Sequence, residues 1–167
     1  MLYIAGIEPE SVVDGEGWRY VVFVQGCKHA CKNCHNPQTW EMNTGEIFEV
    51  DELVSDIKAS LEANILIDGV TISGGDPFYQ AEEVAELCKQ LHELDINIWV
   101  YTGFVYEQVI QNEQMKNILN YIDVLVDGPF IESKKTLDIN YIGSTNQRII
   151  DIQKTLSNNE VVLYVTE

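Results

Sequence analysis

Basic residues are scarce in this sequence: 10 lysines and arginines stand against 27 aspartates and glutamates, which gives a formal net charge of −17. Nucleic acids and anionic membranes are bound by cationic side chains that neutralise their phosphates, so a surface field of this sign repels both. Direct binding to DNA or RNA is therefore not expected. Protein partners with basic patches are favoured instead.

Long hydrophobic runs are also missing. The most apolar stretches, such as residues 20–24 and 161–165, are far shorter than the roughly 20 residues that cross a bilayer. The sequence also lacks a basic start followed by an apolar run and a small-residue cleavage site. We therefore expect no membrane insertion and a cytoplasmic location. In a reducing compartment, clustered cysteines indicate metal ligands or redox groups before they indicate disulfides.

Internal repeats, low-complexity tracts and Pro/Ser-rich linkers are absent, so residues 1–167 are predicted to form a single domain. Short β-rich segments alternate with segments of helical period, which is typical of an α/β fold with a mostly parallel sheet. The predicted strands are residues 20–24, 70–73, 96–101, 124–126 and 161–165.

Three segments between these strands have helical spacing of apolar residues, around residues 53–61, 84–91 and 105–110. The polar residues 157–159 are predicted to be a loop before the last strand. Right-handed crossovers would wind such units into an open sheet or a barrel, and the pattern does not choose between them. Both architectures place ligand sites at the carboxyl ends of the strands.

Three of the four cysteines cluster directly after the first predicted strand, in the segment Cys27-Lys-His-Ala-Cys31-Lys-Asn-Cys34. Three thiolates can bind three irons of a 4Fe-4S cube and leave the fourth iron open for a substrate. A structural zinc site, with His35 or Cys88 as fourth ligand, is the alternative. Against it, His35 directly follows Cys34, and Cys88 shares a helical face with apolar residues, which indicates a core position. A non-catalytic zinc or electron-transfer module stays open at this point.

A second motif, Gly74-Gly75-Asp76-Pro77, follows the second predicted strand. Consecutive glycines let a ligand approach the backbone closely. An amino group can only donate hydrogen bonds, and this turn offers it carbonyl oxygens and a carboxylate. The same residues are also compatible with an ordinary tight turn in which Asp76 caps a helix. The position of this motif beside the cysteine segment favours a ligand site over an ordinary tight turn.

The Cys-x3-Cys-x2-Cys segment, combined with the Gly-Gly-Asp-Pro turn, resembles the signature of the radical S-adenosylmethionine (SAM) superfamily. Within it, further segments are similar to the family that activates the anaerobic, glycyl-radical ribonucleoside-triphosphate reductase. Those segments are residues 14–19, 34–40, 99–103, 126–130 and 143–151. The similarity extends over most of the chain.

This resemblance implies an incomplete TIM-like (β/α) barrel of the radical SAM type. It also implies one 4Fe-4S cluster held by Cys27, Cys31 and Cys34, with SAM bound to the open iron. Residues implied to contact SAM are Gly74, Gly75 and Asp76 at the amino group, the backbone around Asn33 and His35 at the adenine, and Thr102 and Asp127 at the methionine end.

The implied reaction begins with one electron from an external donor, for which a flavodoxin-like protein is a candidate. Reductive cleavage of SAM then gives a 5'-deoxyadenosyl radical that takes hydrogen from a glycine of the reductase. Activation of another glycyl-radical enzyme is the nearest alternative. The chain departs from the proteins that it resembles at three positions: Asn33 replaces a frequent aromatic residue, Glu16 a frequent proline, and Asp76 the glutamate of many superfamily members.

Overall fold

The computed structural model describes residues 1–34 and 36–166. Within them, seven strands form one sheet in the order β3-β1-β2-β4-β5-β6-β7. The strands are β1 (Leu2–Ser11), β2 (Arg19–Val24), β3 (Glu46–Phe48), β4 (Gly69–Gly74), β5 (Asn97–Tyr101), β6 (Val124–Asp127) and β7 (Arg148–Asp151).

The centre of the sheet is parallel, as predicted: β2, β4, β5 and β6 run in the same direction. These strands are rich in valine and isoleucine and are buried on both faces, which is the usual environment of parallel strands. Antiparallel strands flank this centre, with β1 and β3 on one side and β7 on the other. The carboxyl ends of the four parallel strands consequently meet at one edge.

Five α-helices are present in the described residues: α1 (Val50–Ala63), α2 (Ala81–Glu93), α3 (Tyr106–Val109), α4 (Glu113–Ile118) and α5 (Ile152–Asn158). Their apolar residues pack on one face of the sheet, called the outer face here, and form the main core. Cys88 of α2 is fully buried in that core, which confirms the interpretation that it is a core residue. No described helix combines the length and apolarity needed to cross a membrane.

The predicted last strand, residues 161–165, is wrong. The antiparallel partner of β6 is β7, and the later segment makes only an isolated bridge between Ile150 and Leu163. Because β7 already occupies the edge of β6, the tail can only lie beside β7. The predicted loop at 157–159 is also partly wrong, since α5 continues to Asn158 and ends on the left-handed Asn159.

The opposite face of the sheet, called the inner face, carries a second core cluster of Trp99, Val124 and Val126. Arg19 lies on this face with 2% of its surface exposed. Its guanidinium donates to the Thr71 hydroxyl (3.1 Å) and to the carbonyls of Val70 (2.9 Å) and Asn97 (3.1 Å). Burial lowers the pKa of Arg19 to about 10, so the side chain stays charged at neutral pH. This arginine therefore joins the amino ends of β2, β4 and β5.

We expect Arg19→Met to lower the free energy of unfolding by about 2 kcal/mol, because methionine retains apolar contact but leaves buried carbonyl oxygens without their donors. Urea denaturation measures the change. Lys58→Met, which replaces an exposed cation on α1, is the matched control and should alter stability by less than about 0.5 kcal/mol. Equal effects of the two substitutions would contradict this role for Arg19.

Candidate functional site

The three clustered cysteines lie in a long loop, residues 25–40, that leaves the carboxyl end of β2 and is called the cysteine loop here. Main-chain hydrogen bonds close it on itself, from Gly26 N to Thr39 O (2.7 Å) and from Cys27 N to Trp40 O (3.1 Å). The side-chain amide of Gln25 donates to two further carbonyls of the returning chain. The loop is thus fixed at its base, and the cysteines project from a closed ring.

Backbone N–H groups face the cysteine sulfurs. Asn36 N donates to Cys34 Sγ at 3.4 Å, and the backbone N–H groups of His29 and Phe130 act on the pKa of Cys27 and of Cys31. All three thiols are half-buried. Burial raises the pKa of Cys27 to about 11 and raises that of Cys31, while the backbone donors act in the opposite direction. Backbone donors of this kind stabilise cluster-bound thiolates, so this donor set fits an iron–sulfur cluster.

In the described part of the chain, no three cysteine, histidine or carboxylate side chains already stand in a metal-binding arrangement. His35 lies outside the described residues.

The Gly-Gly-Asp-Pro turn packs directly on the base of the cysteine loop. Gly75 N donates to Val24 O (3.0 Å), and Asp76 N donates to Gly26 O (2.8 Å). A Cβ added to Gly75 would lie 2.5 Å from Gly26 O and 2.8 Å from Thr39 O. Gly74 has a φ of +116°, a conformation that favours glycine. The two glycines therefore allow a backbone-to-backbone contact with the loop, a role that the sequence analysis did not predict.

Asp76 is fully buried and accepts hydrogen bonds from several segments at once. Its carboxylate accepts from Phe78 N (3.0 Å), Gly103 N (2.9 Å) and the Thr102 hydroxyl (2.9 Å to Oδ2), and its Oδ2 lies 2.6 Å from His29 Nε2. The bond from Phe78 confirms that Asp76 caps the short helical turn after it. Thr102, predicted as a weaker site residue, thus lies directly against Asp76. A ligand role for either remains a prediction.

His29 is a functional candidate that the sequence analysis did not identify. Its side chain is 16% exposed and packs edge-on against Phe104, with ring centroids 4.6 Å apart. Together with its contact to Asp76, this packing joins the cysteine loop to the carboxyl ends of β4 and β5. A histidine inside a cysteine segment gives no short-range signal of such a contact, because Asp76 is 47 residues away.

Asp127, predicted at the methionine end of SAM, is buried at the end of β6 and already has protein partners. Arg148 donates to it through Nη2 (2.6 Å) and Nε (3.1 Å), and Tyr106 N donates at 2.8 Å. Arg148 also binds Glu107 at 2.8 Å. These bonds raise the pKa of Arg148 and lower the pKa of Glu107. Arg148 is a second residue that the sequence analysis left without a role.

The segment after Asp127 reaches the cysteine loop. Side-chain amides of Gln147 and Asn146 donate to Gly128 O (3.0 Å) and Pro129 O (2.8 Å). The next residue, Phe130, supplies the N–H that meets Cys31. The Gly-Ser-Thr-Asn-Gln-Arg segment therefore positions one of the backbone donors of the cysteine sulfurs.

Asn33 is exposed at the tip of the cysteine loop and has a φ of +57°. Its side chain hydrogen-bonds Glu132. Asparagine tolerates this left-handed conformation better than aromatic residues do, which gives a local reason for its presence.

A family model and curated relatives match most of this chain. A family model described as a 4Fe-4S single cluster domain matches residues 13–150. The anaerobic ribonucleoside-triphosphate reductase-activating protein of Haemophilus influenzae is 35% identical over 148 residues, covering 84% of this chain and 92% of the relative. The protein of that name from Enterobacteria phage T4 is 36% identical over 150 residues, covering 86% and 90%.

A solved structure, QueE from Escherichia coli, superposes with a TM-score of 0.47 at 17% identity and covers 61% of this chain and 52% of that one. This likeness is too distant to assign residue roles.

We expect Gly75→Ala to disrupt the site, because the new Cβ would lie within 3 Å of two backbone oxygens that cannot move without opening the cysteine loop. Iron bound after anaerobic reconstitution should fall to less than about half of wild type, and stability should fall by about 2 kcal/mol. Gly6→Ala is the matched control, since its Cβ would have no heavy atom within 4 Å. A Gly75→Ala protein with full iron content would refute the close-contact explanation.

Proposed function

The chain belongs to the family of anaerobic ribonucleoside-triphosphate reductase-activating proteins, and we propose that it activates such a reductase by forming a radical on one of its glycines. The observation that carries this proposal is the identity of about one third with these activators over more than four fifths of the chain. The cysteine loop and the Gly-Gly-Asp-Pro turn support it, since they lie in contact at the carboxyl edge of the parallel strands.

A 4Fe-4S cluster held by Cys27, Cys31 and Cys34 would supply one electron, taken from an external donor, for the cleavage of SAM into methionine and a 5'-deoxyadenosyl radical. Transfer of the Cα hydrogen of the reductase glycine to that radical would give 5'-deoxyadenosine and a glycyl radical. The chain itself binds SAM and the glycine segment of the reductase and orients them towards each other. It also keeps water away from the reacting atoms. We propose no general acid or base, because neither step transfers a proton.

We assign the cluster ligands to Cys27, Cys31 and Cys34, with the fourth iron open for the amino and carboxylate groups of SAM. The amino group would lie at Gly74, Gly75 and Asp76, near Thr102. Backbone around Asn33 and His35 would border the adenine, and Asp127 would act at the methionine end through its ion pair with Arg148. Support comes from the position of these segments along one edge of the sheet.

We further propose that residues 1–167 form one radical SAM domain whose sheet is an incomplete TIM-like barrel, open on one side for a large protein substrate. An open inner face would let a glycine loop of the reductase approach the cluster. A flavodoxin-like protein is a candidate for the electron donor, and free thiols are compatible with a cytoplasmic location.

Cys31→Ala should abolish the cluster, because it removes one of three iron ligands. Cys88→Ala should retain full iron content and lose only stability, by about 1–2 kcal/mol, because a buried thiol in the core is replaced by a smaller group. Iron and sulfide analysis with the visible absorption spectrum distinguishes the two variants. Cluster loss in Cys88→Ala comparable to that in Cys31→Ala would reject the three-ligand assignment.

The decisive test of the function is anaerobic incubation of the reconstituted protein with a reductase of the class that these activators serve, a reductant and SAM. We expect a glycyl-radical signal by electron paramagnetic resonance and about one 5'-deoxyadenosine per radical. Cys31→Ala is the control and should give neither product. A colourless protein that binds zinc and forms no 5'-deoxyadenosine would overturn the proposal.

A further inference from the structure

We propose that lysines around the cysteine loop form a docking surface for the electron donor, and that this donor is a redox protein with an acidic surface. The inference rests on the proposed function, because it concerns the protein that reduces the cluster. Its basis is the separation of charge between the edge that carries the cysteines and the rest of the chain.

Positive charge is concentrated in two segments, the cysteine loop and residues 128–137. Together they hold four of the 10 basic residues of the chain and one of its 27 acidic residues. Their formal net charge is therefore +3, within a chain whose total is −17. The four cations, called the basic rim here, are Lys28, Lys32, Lys134 and Lys135.

The two segments face each other in the structure. Asn33, at the tip of the cysteine loop, hydrogen-bonds Glu132, and Lys32 Nζ lies 3.7 Å from the same carboxylate. Lys134 and Lys135 follow Glu132 within one short helical turn. All four cations of the basic rim therefore belong to the edge that carries the thiols.

The basic rim is accessible to another protein. All four lysines are exposed, and the side chain of Lys32 keeps 85% of its surface accessible beside Glu132. Lys28 directly follows Cys27 in the sequence, and Lys32 directly follows the next thiol, and both thiols are half-buried. A protein that contacts the basic rim is consequently brought beside the sulfurs proposed to hold the cluster.

The helical outer face of the protein has the opposite charge. Helix α1 carries four carboxylates and one lysine, and so does α2. Two further cations, Arg19 and Arg148, are bonded to groups of the fold. An acidic protein is therefore repelled by the helices and attracted at the basic rim, so the charge pattern selects one orientation.

The chemistry of the basic rim suits a transient redox complex. Such complexes have small interfaces, and complementary charge orients them and speeds their association. The donor loses one electron, the bound cluster is reduced by that electron, and the oxidised donor leaves. A lasting interface has an apolar core, which exposed lysines do not supply. The reductase, in contrast, is proposed to enter at the open inner face.

The test reverses charge in the basic rim without touching the cysteine loop. Lys134→Glu combined with Lys135→Glu is the rim pair. Lys58→Glu combined with Lys89→Glu is the control pair, because it changes the net charge by the same amount on α1 and α2. The probe is a reduced flavodoxin of net negative charge, whose oxidation by the reconstituted protein is followed by stopped flow.

At low ionic strength, the rim pair should lower the second-order rate constant for flavodoxin oxidation by about tenfold or more, and the control pair by less than about threefold. The difference between the pairs should shrink in about 0.5 M salt, because exposed charges are screened. Equal losses in the two pairs would overturn the inference, since total charge and not the basic rim would then govern association.

Two further readouts separate docking from other roles. With dithionite, a small reductant, the rim pair should match wild type in iron content and in 5'-deoxyadenosine formed. A loss of either would assign the lysines to the cluster and overturn the inference. A lower yield of glycyl radical per 5'-deoxyadenosine, with an unchanged rate of flavodoxin oxidation, would assign the basic rim to the reductase and also overturn it.

Failure of the proposed function has a different signature. Wild type would then form no 5'-deoxyadenosine with dithionite. Binding of the flavodoxin to the reconstituted protein, measured by calorimetry, still judges the basic rim in that case. Weaker binding confined to the rim pair supports docking at these lysines, and equal binding by both pairs contradicts it.

Discussion

The buried carboxylate of Asp76 is the interaction on which the geometry of the site depends. An isolated charge in this position would be strongly destabilising, so the protein must keep its donors in place. Those donors come from separate parts of the chain: His29 from the cysteine loop, Thr102 and Gly103 from the end of β5, and Phe78 from its own turn. A carboxylate has room for about four hydrogen bonds. An amino group that binds Asp76 must therefore displace or share one of these donors.

Much of this site could be predicted from sequence, because its main parts are short-range patterns. The cysteine spacing and the Gly-Gly-Asp-Pro turn are contiguous, and the α/β alternation places both at the carboxyl ends of neighbouring strands. Valine-rich strands and the apolar face of α2 identified the parallel centre and the buried Cys88. The prediction that the consecutive glycines make room for a ligand was incomplete. Sequence cannot tell whether Gly75 makes room for a ligand or for the Gly26 backbone.

Other features had no local signal. The contact of His29 with Asp76 joins residues that are 47 positions apart, and the ion pair of Arg148 with Asp127 also depends on strand pairing. The wrong last strand has the same origin. Residues 161–165 have strand composition, but the edge of β6 was already taken by β7, so composition could not decide which segment paired. Tertiary competition for an edge overrides propensity.

The two regions of the site separate two chemical demands. At the carboxyl edge, carboxylates and backbone donors meet the charged groups expected of SAM and the thiolates of a cluster. Below that edge, the inner face carries the cluster of Trp99, Val124 and Val126 together with the buried Arg19. The guanidinium of Arg19 is bound within the fold, by the Thr71 hydroxyl and by backbone carbonyls at the amino ends of the strands. Two buried charges of the sheet therefore meet different demands at its two ends: Arg19 holds strands together at the amino end, and Asp76 holds the cysteine loop at the carboxyl edge.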